Sequence, residues 1–197
     1  ADHSFKLKNR HGNLPYMEVT MIILLSGASH TGKSYIAHEL LKKYGYSVLS
    51  LDLIKMGLIR SRNTTLTPED DDELTALIWP IVREMIKTAI ENKQDLIIEG
   101  CYIPPSWAED FDGKYLDEIH YACIIMTDYY IDTHYDDIVK HASVVEERGT
   151  DEGLSADWLK EINRQYYEDC RKYGNYMIMI DDSYEPEIII ACIESRI

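Results

Sequence analysis

The sequence predicts an α/β domain, a parallel sheet with helices on both faces. Three observations predict it. Apolar runs of strand length alternate with helix-length amphipathic stretches, the pattern of βαβ units. The runs at 21–26, 95–99 and 176–180 are almost continuously apolar, as strands covered on both faces are. The first run leads into Gly27-Ala28-Ser29-His30-Thr31-Gly32-Lys33-Ser34 and then a helical stretch, so a glycine loop joins strand to helix. With 197 residues, the chain suits one domain with a substantial core.

In chain order, strand 21–26 precedes the glycine loop and a helix over 33–44, which Gly45 stops. Strand 46–51 is followed by a short helix, 52–60, and a loop, 61–66. Thr67-Pro68-Glu69-Asp70 reads as a helix start: Thr67 caps, Pro68 fits the first position, and the acids favour the first turn. That helix runs to about Asn92, and Pro80 is expected to kink it. Strands 95–99 and 118–127 follow, then a helix over 131–147 and a mobile loop, 148–154. Ser155 caps a helix that Gly174 ends after Tyr173. Strand 176–180 and a helix over 185–195 complete the order.

The glycine loop has the G-x-x-x-x-G-K-[ST] spacing in its required setting between strand and helix. Its N–H groups form a concave anion site, reinforced by the positive end of the following helix. The spacing therefore assigns nucleotide triphosphate binding to Gly27, Ala28, Ser29, His30, Thr31, Gly32, Lys33, Ser34 and Tyr35. Lys33 can reach the β- and γ-phosphates, and the Ser34 hydroxyl can ligate Mg²⁺.

Ligands of parallel sheets sit beyond the strand carboxyl ends. Every strand after the first ends in an acid: Asp52, Glu99, Asp128, and Asp181 with Asp182. Asp52 is the candidate base for an acceptor hydroxyl; the competing reading is a helix N-cap. Glu99 ends Leu96-Ile97-Ile98-Glu99, a strand of Walker-B type, and is the candidate for the metal shell or an acceptor contact. Its competing reading is a structural hydrogen bond near Gly100. Arg60, Arg62 and Arg164 are candidates to grip an acceptor's anionic group, and Arg148 to meet the charge of the transferred group from the loop. Segments 52–66, 100–112 and 147–155 are expected to build the acceptor pocket, with Trp107 either forming an apolar wall or packing the loop.

Composition excludes other classes. A net charge of −15 argues against a nucleic-acid or anionic-membrane partner. No apolar run is long enough to span a bilayer. Cys101, Cys123, Cys170 and Cys192 are widely spaced, which fits free thiols in a reducing cytoplasm. Residues 1–20 are polar and form no secretory signal; they read as a leader, partly of expression origin or disordered, ahead of a domain spanning 21–197. Asn92-Lys93-Gln94-Asp95 matches the guanine-reading N-K-x-D pattern, but it precedes a strand and should lie on the edge opposite the phosphate loop.

On Gly27–Gly32, Lys33-Ser34, Ser50-Leu51-Asp52-Leu53-Ile54-Lys55-Met56-Gly57 and Leu96–Gly100, the chain over 21–190 resembles the small P-loop kinases of nucleoside-monophosphate-kinase-like fold. It looks most like the 2-phosphoglycerate-kinase-like, zeta-toxin-like and chloramphenicol-phosphotransferase-like branches. The resemblance implies a three-layer α/β/α P-loop NTPase fold, a five-stranded parallel sheet of order 2-3-1-4-5 with a helical lid, and ATP with Mg²⁺. It implies that Asp52 matches the base, that Arg148 matches the lid arginines by region, and that Asp182-Ser183-Tyr184-Glu185 meets adenine. The expected activity is transfer of the γ-phosphoryl group to a hydroxyl of a small metabolite or antibiotic-like acceptor. The alternatives are an adenylate-type nucleoside monophosphate kinase and a nucleotide-binding switch with little turnover. The arginine-poor loop departs from true adenylate kinases. Oligomeric state is not encoded in any of these features.

Overall fold

A computed structural model describes residues 20–141 and 154–197. The expected leader, Thr20 excepted, therefore lies outside the described residues, as do Arg148 and the expected loop and lid up to residue 153.

Five strands form one all-parallel sheet in the order β2-β3-β1-β4-β5. They are β1 (Ile22–Gly27), β2 (Ser47–Ser50), β3 (Leu96–Glu99), β4 (Ile119–Met126) and β5 (Met177–Ile180). The helices are α1 (Lys33–Tyr44), α2 (Leu51–Arg60), α3 (Asp71–Glu91), the single turn α4 (Gly113–Leu116), α5 (Asp128–His141), α6 (Ala156–Tyr173) and α7 (Pro186–Glu194). A 3₁₀ turn, Trp107–Asp110, lies between β3 and α4.

The central strand explains the layering. Every residue of β1 is buried, and successive side chains point to opposite faces. Ile22 and Leu24 join Leu74, Ile78, Val82 and Ile86 of α3. Ile23 and Leu25 join Ile36 and Leu40 of α1 and Ile189 and Ile193 of α7. Burial of each such side chain stabilises the fold by about 1.5–3 kcal/mol. One strand thus anchors helices on both faces. α6 bridges the two layers, placing Leu159 in one core and Cys170 in the other.

Local signals explain most boundaries. Gly45 and Gly174 end α1 and α6 in the left-handed region, and Ser155 Oγ accepts the Trp158 N–H at 3.2 Å. The start of α3 differs from expectation. Thr67–Asp70 forms a turn in which the Asp70 carboxylate accepts both the Thr67 N–H (2.7 Å) and the Thr67 hydroxyl (2.9 Å). Asp70, not Thr67, holds the N-cap position. The side chain of Asp70 reaches backwards three residues, so the acidic run closes a turn before the helix begins. α5 begins at Asp128, three residues earlier than expected, and its backbone leaves helical geometry at His134.

Because all strands are parallel, their carboxyl ends share one edge. The phosphate loop, the start of α2, Glu99 and Thr127-Asp128 meet there. At the other edge the Asp95 carboxylate accepts the Met21 N–H at 2.8 Å, so the N-K-x-D segment ties down the amino end of β1. Among the described residues no helix is long and apolar enough to cross a membrane.

Candidate active site

The phosphate loop is shaped by close approach. Gly27 pairs with Ile124 of β4 at a φ of +138°, and a Cβ there would lie 2.3 Å from the Ile124 carbonyl oxygen. Gly32 caps α1 at a φ of +79°, and a Cβ there would lie 2.2 Å from Tyr184 Oη. Inside the loop, Thr31 Oγ1 and Lys33 Nζ both donate to the Ala28 carbonyl, at 2.9 Å and 2.6 Å. Ala28, Thr31 and Lys33 are buried, Ser29 and His30 half-buried, and Tyr35 exposed. His30 itself has a φ of +68°. The first turn of α1 itself carries no acidic residue. A buried ammonium beside a helix start with no acid of its own fits phosphate.

Glu99 ends β3, and Asp52 opens the helix that follows the neighbouring strand β2. Ser50 of β2 pairs with Glu99 of β3, and Leu25 of β1 pairs with Glu99 from the other side. Glu99 is 2% exposed and accepts a hydrogen bond from Ser34 Oγ at 3.0 Å. Burial pushes its carboxyl above the usual range, and the charge of Asp52 adds to the push. The Ser50 hydroxyl, the Lys33 ammonium and the Ser34 hydroxyl oppose it. Asp52 sits in the first turn of α2, and its Oδ1 lies 2.9 Å from Lys55 Nζ. Ser50, not Asp52, holds the N-cap position of α2, so the N-cap reading of Asp52 does not hold.

Lys33, Ser34, Asp52 and Glu99 line one cleft of about 610 Å³. Its far end lies between Tyr130, His134 and His141 of α5 and the Ser183–Tyr184 segment that precedes α7. Tyr184 reaches back to the phosphate loop, donating to the Gly32 carbonyl at 3.4 Å. Burial, with smaller contributions from Tyr35 and Tyr130, pushes the Tyr184 phenol well above its usual range, so it remains a neutral donor.

Not every expected residue reaches this cleft. Arg60 and Arg62 are exposed and do not line it. Arg60 lies eight residues beyond Asp52, about 12 Å further along a helix. Arg164 is engaged elsewhere, in an exposed ion pair with Asp128 at 2.5 Å. Trp107 stacks on Tyr121 at 5.5 Å and donates to Asn175 Oδ1, so it packs the loop into the core rather than forming a wall. The sequence reading missed Lys55, Tyr102 and the α5 wall. The wall has a legible signal, because 130, 134, 137 and 141 fall on one helical face; the same pattern of polar residues also describes a solvated face.

Mg²⁺ takes one or two protein oxygens and completes its shell with phosphate and water. The adjacent Ser34 hydroxyl and Glu99 carboxylate fit that demand. Among the described residues no cluster of three His, Cys, Asp or Glu side chains could hold a metal by itself.

Comparisons with known proteins agree with this architecture. The chain superposes on a gluconokinase from Sinorhizobium meliloti 1021 (13% identity, 90% of this chain and 91% of that one, TM-score 0.51). It superposes likewise on a deoxyadenosine kinase from M. mycoides (17% identity, 89% and 97%, TM-score 0.54). A shikimate kinase from Bacteroides thetaiotaomicron gives 13% identity, 89% and 95% coverage and a TM-score of 0.54. At these identities the likeness is one of fold: the chain has a P-loop kinase-like fold. No curated protein sequence matches it. Residues 22–127, more than half of the chain, match a family model described as an AAA domain. With the phosphate loop after β1, Glu99 closing β3 and Asp52 opening the helix after β2, the chain belongs to this AAA domain family of P-loop proteins.

Proposed function

We propose that this protein is a Mg-ATP-dependent kinase that transfers the γ-phosphoryl group to a hydroxyl of a small metabolite or antibiotic-like molecule. One observation carries the reading: Asp52, an acid on the acceptor side, lines the same cleft as Lys33 and the Ser34–Glu99 pair. Lys33 and the loop amides hold the phosphates. Ser34 and Glu99 hold Mg²⁺, which when bound neutralises charge on the phosphate oxygens. Asp52 accepts the proton of the attacking hydroxyl. The resemblance at Asp52 supports the 2-phosphoglycerate-kinase-like, zeta-toxin-like or chloramphenicol-phosphotransferase-like branches, and the free thiols suit a cytoplasmic setting. Gluconokinase, shikimate kinase and deoxyadenosine kinase among the structural neighbours also support a small-molecule acceptor.

An adenylate-type reaction needs cations around two phosphate chains. Among the described residues the cleft is lined by one lysine and no arginine, which favours a hydroxyl acceptor. Arg148, proposed to meet the transferred charge, lies outside the described residues. The test is ADP release from Mg-ATP against pooled phosphorylated metabolites, nucleosides, nucleotides and hydroxyl antibiotics. Turnover that depends on both Lys33 and Asp52 supports the reading. ATP binding without turnover on any pool rejects it in favour of a nucleotide-dependent switch.

A further inference from the structure

The ion pair between Lys55 and Asp52 differs from the other lysine–acid pairs three residues apart on helices. Lys42–Glu39 and Lys87–Glu84 each expose at least one partner by more than half. Lys55 and Asp52 expose 15% and 26% of their side chains. Beyond the acid, the Lys55 ammonium lies 5.2 Å from the centre of the Tyr102 ring. Tyr102 is itself buried, and its hydroxyl donates to Asp71 Oδ1 at 3.0 Å. Burial and the carboxylates of Asp71 and Asp52 push this phenol far above its usual range, so it stays a neutral donor with its ring facing the cation.

We propose that Lys55 is the positioning residue of the Asp52 carboxylate, and that the Tyr102–Asp71 pair holds Lys55 in turn, tying the base to the start of α3. The assignment rests on the kinase reading given above. An aspartate in the first turn of a helix has freedom to rotate about χ1 and χ2. The ammonium occupies Oδ1 and leaves Oδ2 to accept the proton of a hydroxyl. A charge-assisted bond of this kind, half-screened from water, orients the acid more firmly than an exposed pair does. Lys55 contacts no phosphate in this scheme, so its removal acts on the transfer step rather than on nucleotide binding.

The test compares Lys55→Met and Lys55→Arg with the parent protein. Three readouts are taken: ADP release from Mg-ATP with water as acceptor, affinity for a fluorescent ADP analogue, and crystal structures of the three proteins. In Lys55→Met, ADP release is expected to fall about tenfold or more with analogue affinity held within about twofold. Lys55→Arg should recover most of the loss, because a guanidinium can meet the same oxygen. The crystals should show the Asp52 carboxylate rotated in Lys55→Met and in place in Lys55→Arg. Equal ADP release in parent and Lys55→Met overturns the proposal, as does an unmoved carboxylate. Should the parent release no ADP with water, the crystals decide the role of Lys55 by themselves, while the kinase reading is decided separately by turnover on the acceptor pools.

Discussion

Replacing Gly27 by alanine tests the loop geometry most directly. The new Cβ would stand 2.3 Å from the Ile124 carbonyl oxygen, which β4 holds in the sheet and cannot swing aside. Forcing an L residue to a φ of +138° costs about 1–3 kcal/mol. Overpacking against fixed backbone costs about 1–3 kcal/mol more. Gly45→Ala is the control: its φ of +76° is also positive, but no atom lies within 4 Å of the new Cβ. That change should cost only the backbone strain, about 1–2 kcal/mol. Because both variants carry positive-φ strain, urea denaturation at constant m should place Gly27→Ala below Gly45→Ala by the overpacking cost, about 1–3 kcal/mol, against a whole-domain stability of about 5–15 kcal/mol. Equal midpoints for the two variants would refute the contact between the phosphate loop and β4 on which the reasoning rests.

Three further outcomes are expected. Asp52→Asn should lower phosphoryl transfer by about 10²–10⁴-fold while leaving affinity for a fluorescent ADP analogue nearly unchanged, measured by single-turnover ADP release and fluorescence titration. Glu99 has a raised native pKa, so it favours folding below the ordinary carboxyl value of 4.5 and loses that contribution as pH rises towards neutrality. Glu99→Gln should therefore flatten the stability-versus-pH curve and raise the melting temperature at pH 7, with a higher Mg²⁺ requirement; a lower melting temperature would contradict the burial of its charge. Arg164→Ala removes an exposed pair with Asp128 outside the cleft, so melting temperature and ADP release should both stay at parent values.

Where a structural decision was local, the sequence carried it. The glycine loop, the buried strands and the stops at Gly45 and Gly174 need only neighbouring residues to specify them. Even the sheet order followed from a family likeness resting on a few short segments. Where the decision was made across space, it was hidden. Thr67 and Asp70 compete for the same helix start, and only the direction of the Asp70 side chain decides between them. Arg60, Arg62 and Arg164 look alike as cations in the sequence; that none of them lines the cleft depends on helix length and on a rival acid such as Asp128. Lys55 was one of many lysines until Tyr102, 47 positions later, was brought over it.

The pairing of Ser50 with Glu99 has a consequence for how such a protein diversifies. Neighbouring strands stand about 4.8 Å apart, set by backbone hydrogen bonds that no side chain controls. The interval between Glu99 and Ser50, the residue that leads into the helix carrying Asp52, is thus a property of the sheet. Rewriting residues beyond the first turn of α2 and beyond Gly100 can reshape the room an incoming molecule enters without detuning that interval. A designer seeking a new acceptor should leave the ends of β2 and β3 and the start of α2, with Asp52 and Lys55, untouched and randomise only residues beyond them.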